Sequence, residues 1–469
     1  MINKGSVEIV LPSVLAALGV VALGLWLSVG RRMEFAPRLP GADGVPSRGD
    51  LEQEPPPQPT GPVMLGGKPS SLKGSWPWFR GPRLNAISTG GPPLARTWPA
   101  SGPEKLWSVE LGPGHAGAAI DQGRVFVLDY DPAAMADTMR CFSLDDGAEI
   151  WRNSYPVEVV ENHGMSRTVP AVSGPYVVSF GPKCHVACWS VESGECLWLL
   201  DLVGQYHAKV PNWYAGQCPL IDGDRVILAP CGDACLVAVD IKTGKAVWES
   251  EKADNWEMTH VSILPMTFAG RKMYVYCGSG GVIGVSAEDG RTLWRTTEWV
   301  GKMATCPTPV EIGDGRIFFC GGYAAGARMM QLSAGGGGLE ISSLFELKPK
   351  QFESEQHTPV FYEGHLYGVR TKAGGEQLVC MDLAGKEIWN SGRDKFGRGP
   401  YMIADGLILL LNDQGRLTVA EAAADAYRVL GQFEVLEDAH DAWAPMALAE
   451  GRLILRDLVQ MKCLRLAAL

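Results

Sequence analysis

The chain has 469 residues and a formal net charge of −10, with 52 acidic against 42 basic side chains and 57 glycines. That acidic balance excludes the basic footprint of a nucleic-acid-binding surface. A chain of this length ordinarily divides into two or three domains, unless a repeat absorbs it into one ring. Residues 1–8 form a short flank. From Ile9 to Val29 the sequence is apolar and uncharged for about 21 residues, enough to cross a bilayer as a helix, and Arg31 and Arg32 end it. Neither a small-residue cleavage site nor a lipid-accepting Cys follows, so 9–29 is expected to be an uncleaved, single-pass transmembrane helix. Lys4 on one side against Arg31, Arg32 and Arg38 on the other would, by the positive-inside rule, keep the remainder in the cytoplasm. Residues 30–74, rich in Pro and Gly around Pro55-Pro56-Pro57, carry little that could bury a core and read as a disordered tether.

Beyond residue 75 one phrase recurs, Gly-x-x-[Ile/Leu/Val]-Trp. It runs from Gly147 to Trp151, Gly194 to Trp198, Gly244 to Trp248, Gly290 to Trp294 and Gly385 to Trp389. The Gly supplies the positive φ of a tight turn, and the following residues alternate until the Trp enters a packed layer. Trp107 is a lone first copy, Ser342 ends a decayed one and Leu430 a worn last one, so copies fall roughly 41 to 50 residues apart. That is the period of a four-stranded propeller blade. Each unit opens with a short apolar strand after a Pro, at Pro170, Pro219, Pro309, Pro359, Pro400 and Pro445. Pro lacks the ladder donor and suits the first residue of a strand. Seven phrases follow their own strands, and the C-terminal strands lack an outer partner, which Lys105-Leu106-Trp107-Ser108-Val109 can supply. The expectation is an all-β, eight-bladed β-propeller over 75–469, closed by pairing its N-terminal strand with the C-terminal blade.

Five phrases in phase, preceded by Trp76-Pro77-Trp78-Phe79-Arg80-Gly81-Pro82, resemble the pyrroloquinoline-quinone-like β-propeller family and its membrane-anchored bacterial members. The resemblance implies that these Gly and Trp residues dock neighbouring blades. It also implies export, placing the propeller on the periplasmic or outer side against the charge rule. Related quinoprotein dehydrogenases carry an adjacent Cys-Cys disulfide, a Trp beneath the quinone and Glu, Asn and Asp around Ca²⁺. No two of the 12 cysteines here are adjacent. The expectation is therefore no cofactor, no metal and no catalytic residue.

Cys141, Cys188, Cys380 and Cys463 sit in equivalent strands as small apolar fillers. Cys184 with Cys188, and Cys231 with Cys235, have a spacing open to short disulfides or half a metal site, although strand alternation favours structural thiols. The glycine-rich run Cys277–Gly284 has no following helix and reads as a hairpin, not a phosphate cradle. The segments leading into the inner strands differ from unit to unit and collect His163, Arg167, His207, Lys209, Trp213, Tyr214, Trp256, His260, Glu355, His357 and Trp443. Propeller topology gathers such segments around one mouth of the channel, where recognition usually lives. The expected function is a membrane-tethered, non-catalytic propeller holding a protein or peptide partner at that mouth. The alternative is an oxidoreductase or small-molecule sensor using the same mouth.

Overall fold

The computed structural model describes residues 17–21, 56–160, 164–336, 338–437 and 439–468. Residues Met1–Leu39 and Pro40–Leu469 form two units. Of the first, only a helical run at 17–21 is described. Among the described residues no helix is long and apolar enough to cross a membrane, and most of the 9–29 expectation lies outside them.

Among the described residues the second unit holds eight sheets, each built on four antiparallel strands; those of blades 1 and 7 carry a fifth, two-residue edge strand. Blade 1 runs Ala119–Asp121, Arg124–Asp131, Ala136–Ser143 and Glu149–Pro156, from the innermost strand outward. Blades 2 to 7 repeat this plan, beginning at Ala171, Leu220, Leu264, Val310, Val360 and Tyr401. In the eighth, Ala447–Ala449, Arg452–Arg456 and Gln460–Arg465 are joined by Glu104–Glu110, which lies antiparallel to Gln460–Arg465 with Trp107 opposite Cys463. The first long strand of the propeller and its last thus share one sheet. The second strands alternate between the two faces of their blade yet are buried on both, as in Val125–Tyr130 and Leu407–Leu411, because each blade is sandwiched between two others.

The recurring phrase is the joint between blades. Trp107, Trp151, Trp198 and Trp248 each lay their ring against the turn glycine of the next blade: a Cβ at Gly147, Gly194, Gly244 or Gly290 would stand 2.9, 2.5, 2.9 or 2.5 Å from the indole. In three of the four the indole N–H also donates to a carbonyl just before that turn, from Trp107 to Leu144 at 3.1 Å, Trp151 to Val191 at 3.0 Å and Trp198 to Ile241 at 2.8 Å, whereas the buried Trp248 N–H has no hydrogen-bond partner. Burying an indole while satisfying its one donor is what makes Trp suit this position. Trp389 bonds Ala423 O at 3.0 Å and packs on Tyr427. Trp294, facing the slack turn of blade 5, donates to Met273 Sδ of its own blade at 3.3 Å.

Two joints use residues out of the expected phase. Ser342 does not dock; the ring against Gly385 is Phe345, three residues further along. Likewise Phe433, not Leu430, meets Gly102 ahead of the eighth blade's outer strand and packs edge-on against Trp98. The expected tether also ends early. From residue 56 the chain lies along blade 1, where Val63–Met64 pairs with the outer strand and Thr60, Leu65 and Gly67 donate to Ser154, Ile150 and Glu149 carbonyls at 2.8, 2.9 and 3.0 Å. Backbone pairing to an open strand edge suffices to order a segment that buries little of its own.

Candidate functional site

The segment after residue 75 enters the ring from the face that carries the Gly turns and closes the channel there. Trp76 bridges Ile120 of blade 1, and Trp78 donates to Val172 O of blade 2 at 2.9 Å. Arg80 donates to Thr358 O and Pro359 O of blade 6 at 2.8 and 3.0 Å. Ile87–Ser88 runs parallel to the inner strand Tyr401–Ala404 of blade 7. Burial lowers the Arg80 pKa to about 10, and the guanidinium is held by carbonyls that strands at a channel wall leave exposed.

Above this stopper the opposite mouth forms a cup of about 290 Å³ with Phe79 among its lining residues. Its aromatic wall is Trp213, Tyr323 and Trp443; its polar groups include Arg167, His260, Glu355, His357 and Arg398. His115 stacks on Trp443 with ring centroids 4.9 Å apart. The Arg398 guanidinium lies 5.5 Å above that indole and ion-pairs with Glu355. Asp413 organises this side: it accepts from Trp443 Nε1 at 2.9 Å and from the Arg398 N–H at 2.8 Å. Arg167 donates to Gly164 O at 3.1 Å, and burial lowers its pKa to about 10. Burial lowers His260 to about 4, helped by the neighbouring Arg167 charge, and lowers His357 to about 4 as well. Both imidazoles are neutral at pH 7. The cup therefore offers flat apolar walls, guanidinium donors and neutral rings.

Of the residues expected at the mouth, Arg167, Trp213, His260, Glu355, His357 and Trp443 come together in the cup. His207 and Lys209 stand on the exposed rim, paired with Asp233 at 2.5 Å and Glu257 at 2.8 Å. Tyr214 is a correction: it is 0% exposed, and its hydroxyl donates to Val160 O at 2.9 Å, so packing and not recognition holds it. Trp256 covers the glycine hairpin of blade 4, where a Cβ on Gly280 would stand 2.1 Å from its Nε1. His163 lies outside the described residues. Sequence reasoning passes over His115, Tyr323 and Arg398. His115 and Arg398 occupy the same phase as the residues it finds, ahead of Ala119 and Pro400, whereas Tyr323 comes from the hairpin between the second and third strands of blade 5 and carries no phase signal.

Residues 136–373, about half of the chain, match the family described as outer membrane protein assembly factor BamB. A curated relative, quinoprotein alcohol dehydrogenase PedH of Pseudomonas putida, is 29% identical over 145 residues, which cover 29% of this chain and 23% of the relative. The match spans less than a quarter of that enzyme. Among solved structures, BamB from Moraxella catarrhalis superposes with a TM-score of 0.54 at 13% identity, over 77% of this chain and 100% of that one. A europium-containing methanol dehydrogenase gives 0.56 at 13% identity, over 81% and 89%. These structural likenesses concern the fold, but the phased Gly–Trp joints and the family match agree, and the chain belongs to the pyrroloquinoline-quinone-like propeller family of the BamB type.

Proposed function

We propose that this protein is a non-catalytic propeller, tethered to a membrane through residues 9–29 and facing the periplasmic or outer side, whose open mouth holds a protein or peptide partner. The observation that carries the reading is the cup itself. A cavity of about 290 Å³ has room for one or two side chains, and its walls are Trp and Arg, the residue types that anchor protein interfaces. The residues around it differ from blade to blade, as recognition requires, while most joints beneath them repeat one contact, an aromatic ring against a glycine of the neighbouring blade.

The quinone and Ca²⁺ of related dehydrogenases fit this donor set poorly. Among the described lining residues the cup has one carboxylate, Glu355, and Arg398 already holds it. A divalent ion would have to displace that guanidinium and would still lack the second acidic ligand of such sites.

Site-directed photo-cross-linking in intact membranes tests the proposal. A photoreactive side chain in place of Trp213 should yield a discrete protein adduct, and one in place of Glu288, on the opposite face, should not. Adding Arg398→Ala should reduce the Trp213 adduct at least about tenfold, the factor expected for losing one anchoring contact. Equal labelling from both faces would refute a specific mouth. Dye reduction with an alcohol, dependent on added pyrroloquinoline quinone and Ca²⁺, would replace the reading with an oxidoreductase.

A further inference from the structure

All 12 cysteines are free thiols. Among the described residues one pair brings its sulfurs into contact: Cys231 and Cys235, with Sγ to Sγ at 3.4 Å. They flank the hairpin that joins Arg225–Leu228 to Val237–Asp240 in blade 3, on the same face as the cup. Other cysteines, such as Cys141 and Cys463, lie singly in strands and pack as apolar fillers. This pair instead faces itself across a turn.

The hairpin is held by contacts independent of the sulfurs. Cys231 N donates to Cys235 O at 3.3 Å, Gly232 N to Ala234 O at 3.2 Å, and Asp233 N to Tyr206 O of blade 2 at 2.8 Å. Gly232 fits so closely that a Cβ would stand 1.8 Å from Tyr206 O. Cys231 is held at φ 48°, a left-handed conformation that non-glycine residues seldom adopt. The two thiols are thus kept near each other by a backbone that does not need them. Preorganisation of this kind favours an intramolecular bond over reaction with separate molecules.

We propose that Cys231 and Cys235 form a redox couple that closes to a disulfide, stapling the mouth-side hairpin of blade 3. The oxidant is itself a disulfide, either a small molecule such as oxidised glutathione or a dithiol oxidoreductase. Cys231, the more exposed at 6% against 0% for Cys235, loses its proton and attacks one sulfur of the oxidant, releasing the first thiol. Cys235 then loses its proton and attacks the Cys231 sulfur, the protein disulfide forms, and the second thiol leaves. Two electrons pass to the oxidant, and the two protons end on its thiols. As thiols, the mutual hydrogen bond and burial keep Cys231 well above its ordinary pKa, so the reaction waits on brief opening of the hairpin. The staple fixes the rim, because Asp233 between the two cysteines pairs with His207 and, at 3.8 Å, with Lys252.

The test uses the full-length protein in detergent, equilibrated with oxidised glutathione, unfolded in acid, alkylated with N-ethylmaleimide and mapped by mass spectrometry. The expected product is one linkage, Cys231 to Cys235, lighter by two hydrogen atoms, with the other cysteines alkylated. Cys231→Ser and Cys235→Ser should each abolish it. Recovery of both residues as alkylated thiols, or pairing of either with another cysteine, overturns the proposal. Amide exchange over 230–236 should slow on oxidation of the wild type and not of Cys231→Ser; unchanged exchange in the wild type overturns the rim-fixing role.

Discussion

At the joint between blades 1 and 2, Gly194 carries two constraints that experiment can separate. It holds φ 71°, and a Cβ there would stand 2.5 Å from the Trp151 ring. Gly223, in the inner turn of blade 3, has a similar φ of 64° with nothing within 4 Å of an added Cβ. Gly223→Ala should cost about 1–2 kcal/mol, the price of the left-handed backbone alone. Gly194→Ala should cost about 3–5 kcal/mol, because the indole must move or the blades must part. Urea unfolding of both variants checks this, and equal costs would mean that the Trp contact contributes nothing to specificity for Gly. A second residue-scale prediction concerns Asp137, sealed at 0% exposure against the Tyr155 hydroxyl, with neither group in a hydrogen bond of normal geometry. Burial raises its pKa from 3.8 to about 7, with the Asp129 charge adding to the rise. The folded state therefore keeps a proton that the unfolded chain releases above pH 4. As far as this group is concerned, stability is greatest below about pH 4, falls as pH rises towards 7 and is level beyond it. The full loss is on the order of 4 kcal/mol. Asp137→Asn should match the wild type near pH 4 and exceed it at pH 8, and a wild-type advantage at pH 8 would show that the ionised carboxylate is stabilised.

Strands explain why some joints are legible in sequence and others are not. The five full phrases can be read because one short run encodes the turn, the alternation and the ring that enters the next blade. Blade 5 keeps the joint but moves it: its last two strands extend to ten residues each, Gly326–Gly335 and Gly338–Leu347, and Phe345 becomes the ring that meets Gly385. A phase count marks Ser342 there, since it registers position and not which side chain the register places against the neighbour. Residues 56–67 fail for a different reason. Their order comes from backbone pairing, and Val63 and Met64 remain 52% and 60% exposed, so composition reads them as tether. The two added edge strands should differ sharply in energetic weight. A chain beginning at Ser75 loses the short pairing on blade 1, the Ser70 N–H bond to Gly123 O and the packing of Leu72, and should be destabilised by about 2–4 kcal/mol while keeping a cooperative transition. A chain ending at Val459 loses the strand opposite Trp107, leaving blade 8 unable to join blade 1, and should show no native unfolding transition by near-ultraviolet circular dichroism. A retained transition would mean that the ring does not depend on that sheet.

For the molecule as a whole, the architecture is more legible than the site. Period and alternation are properties of every blade, whereas the cup is assembled from single residues on separate blades and floored by Phe79, a residue far from them in sequence. Only the segments in phase with the repeat reveal their contribution, which is why Arg167 and Trp443 can be found and Tyr323 cannot. The stopper gives the propeller two unlike ends: the segment from Trp76 to Ser88 closes the turn face, and the cup opens on the other. On the proposed function, residues 9–29 hold the propeller at a membrane. This predicts that full-length protein stays with membranes after carbonate washing, while a chain beginning at residue 56 is released as folded propeller. It also predicts that a cysteine introduced at exposed Met303, beside the mouth, is labelled in spheroplasts by a maleimide that cannot cross the inner membrane. Labelling only after the membrane is permeabilised would place the propeller in the cytoplasm, as the arginines after residue 30 favour, and would remove an outer-side partner from consideration.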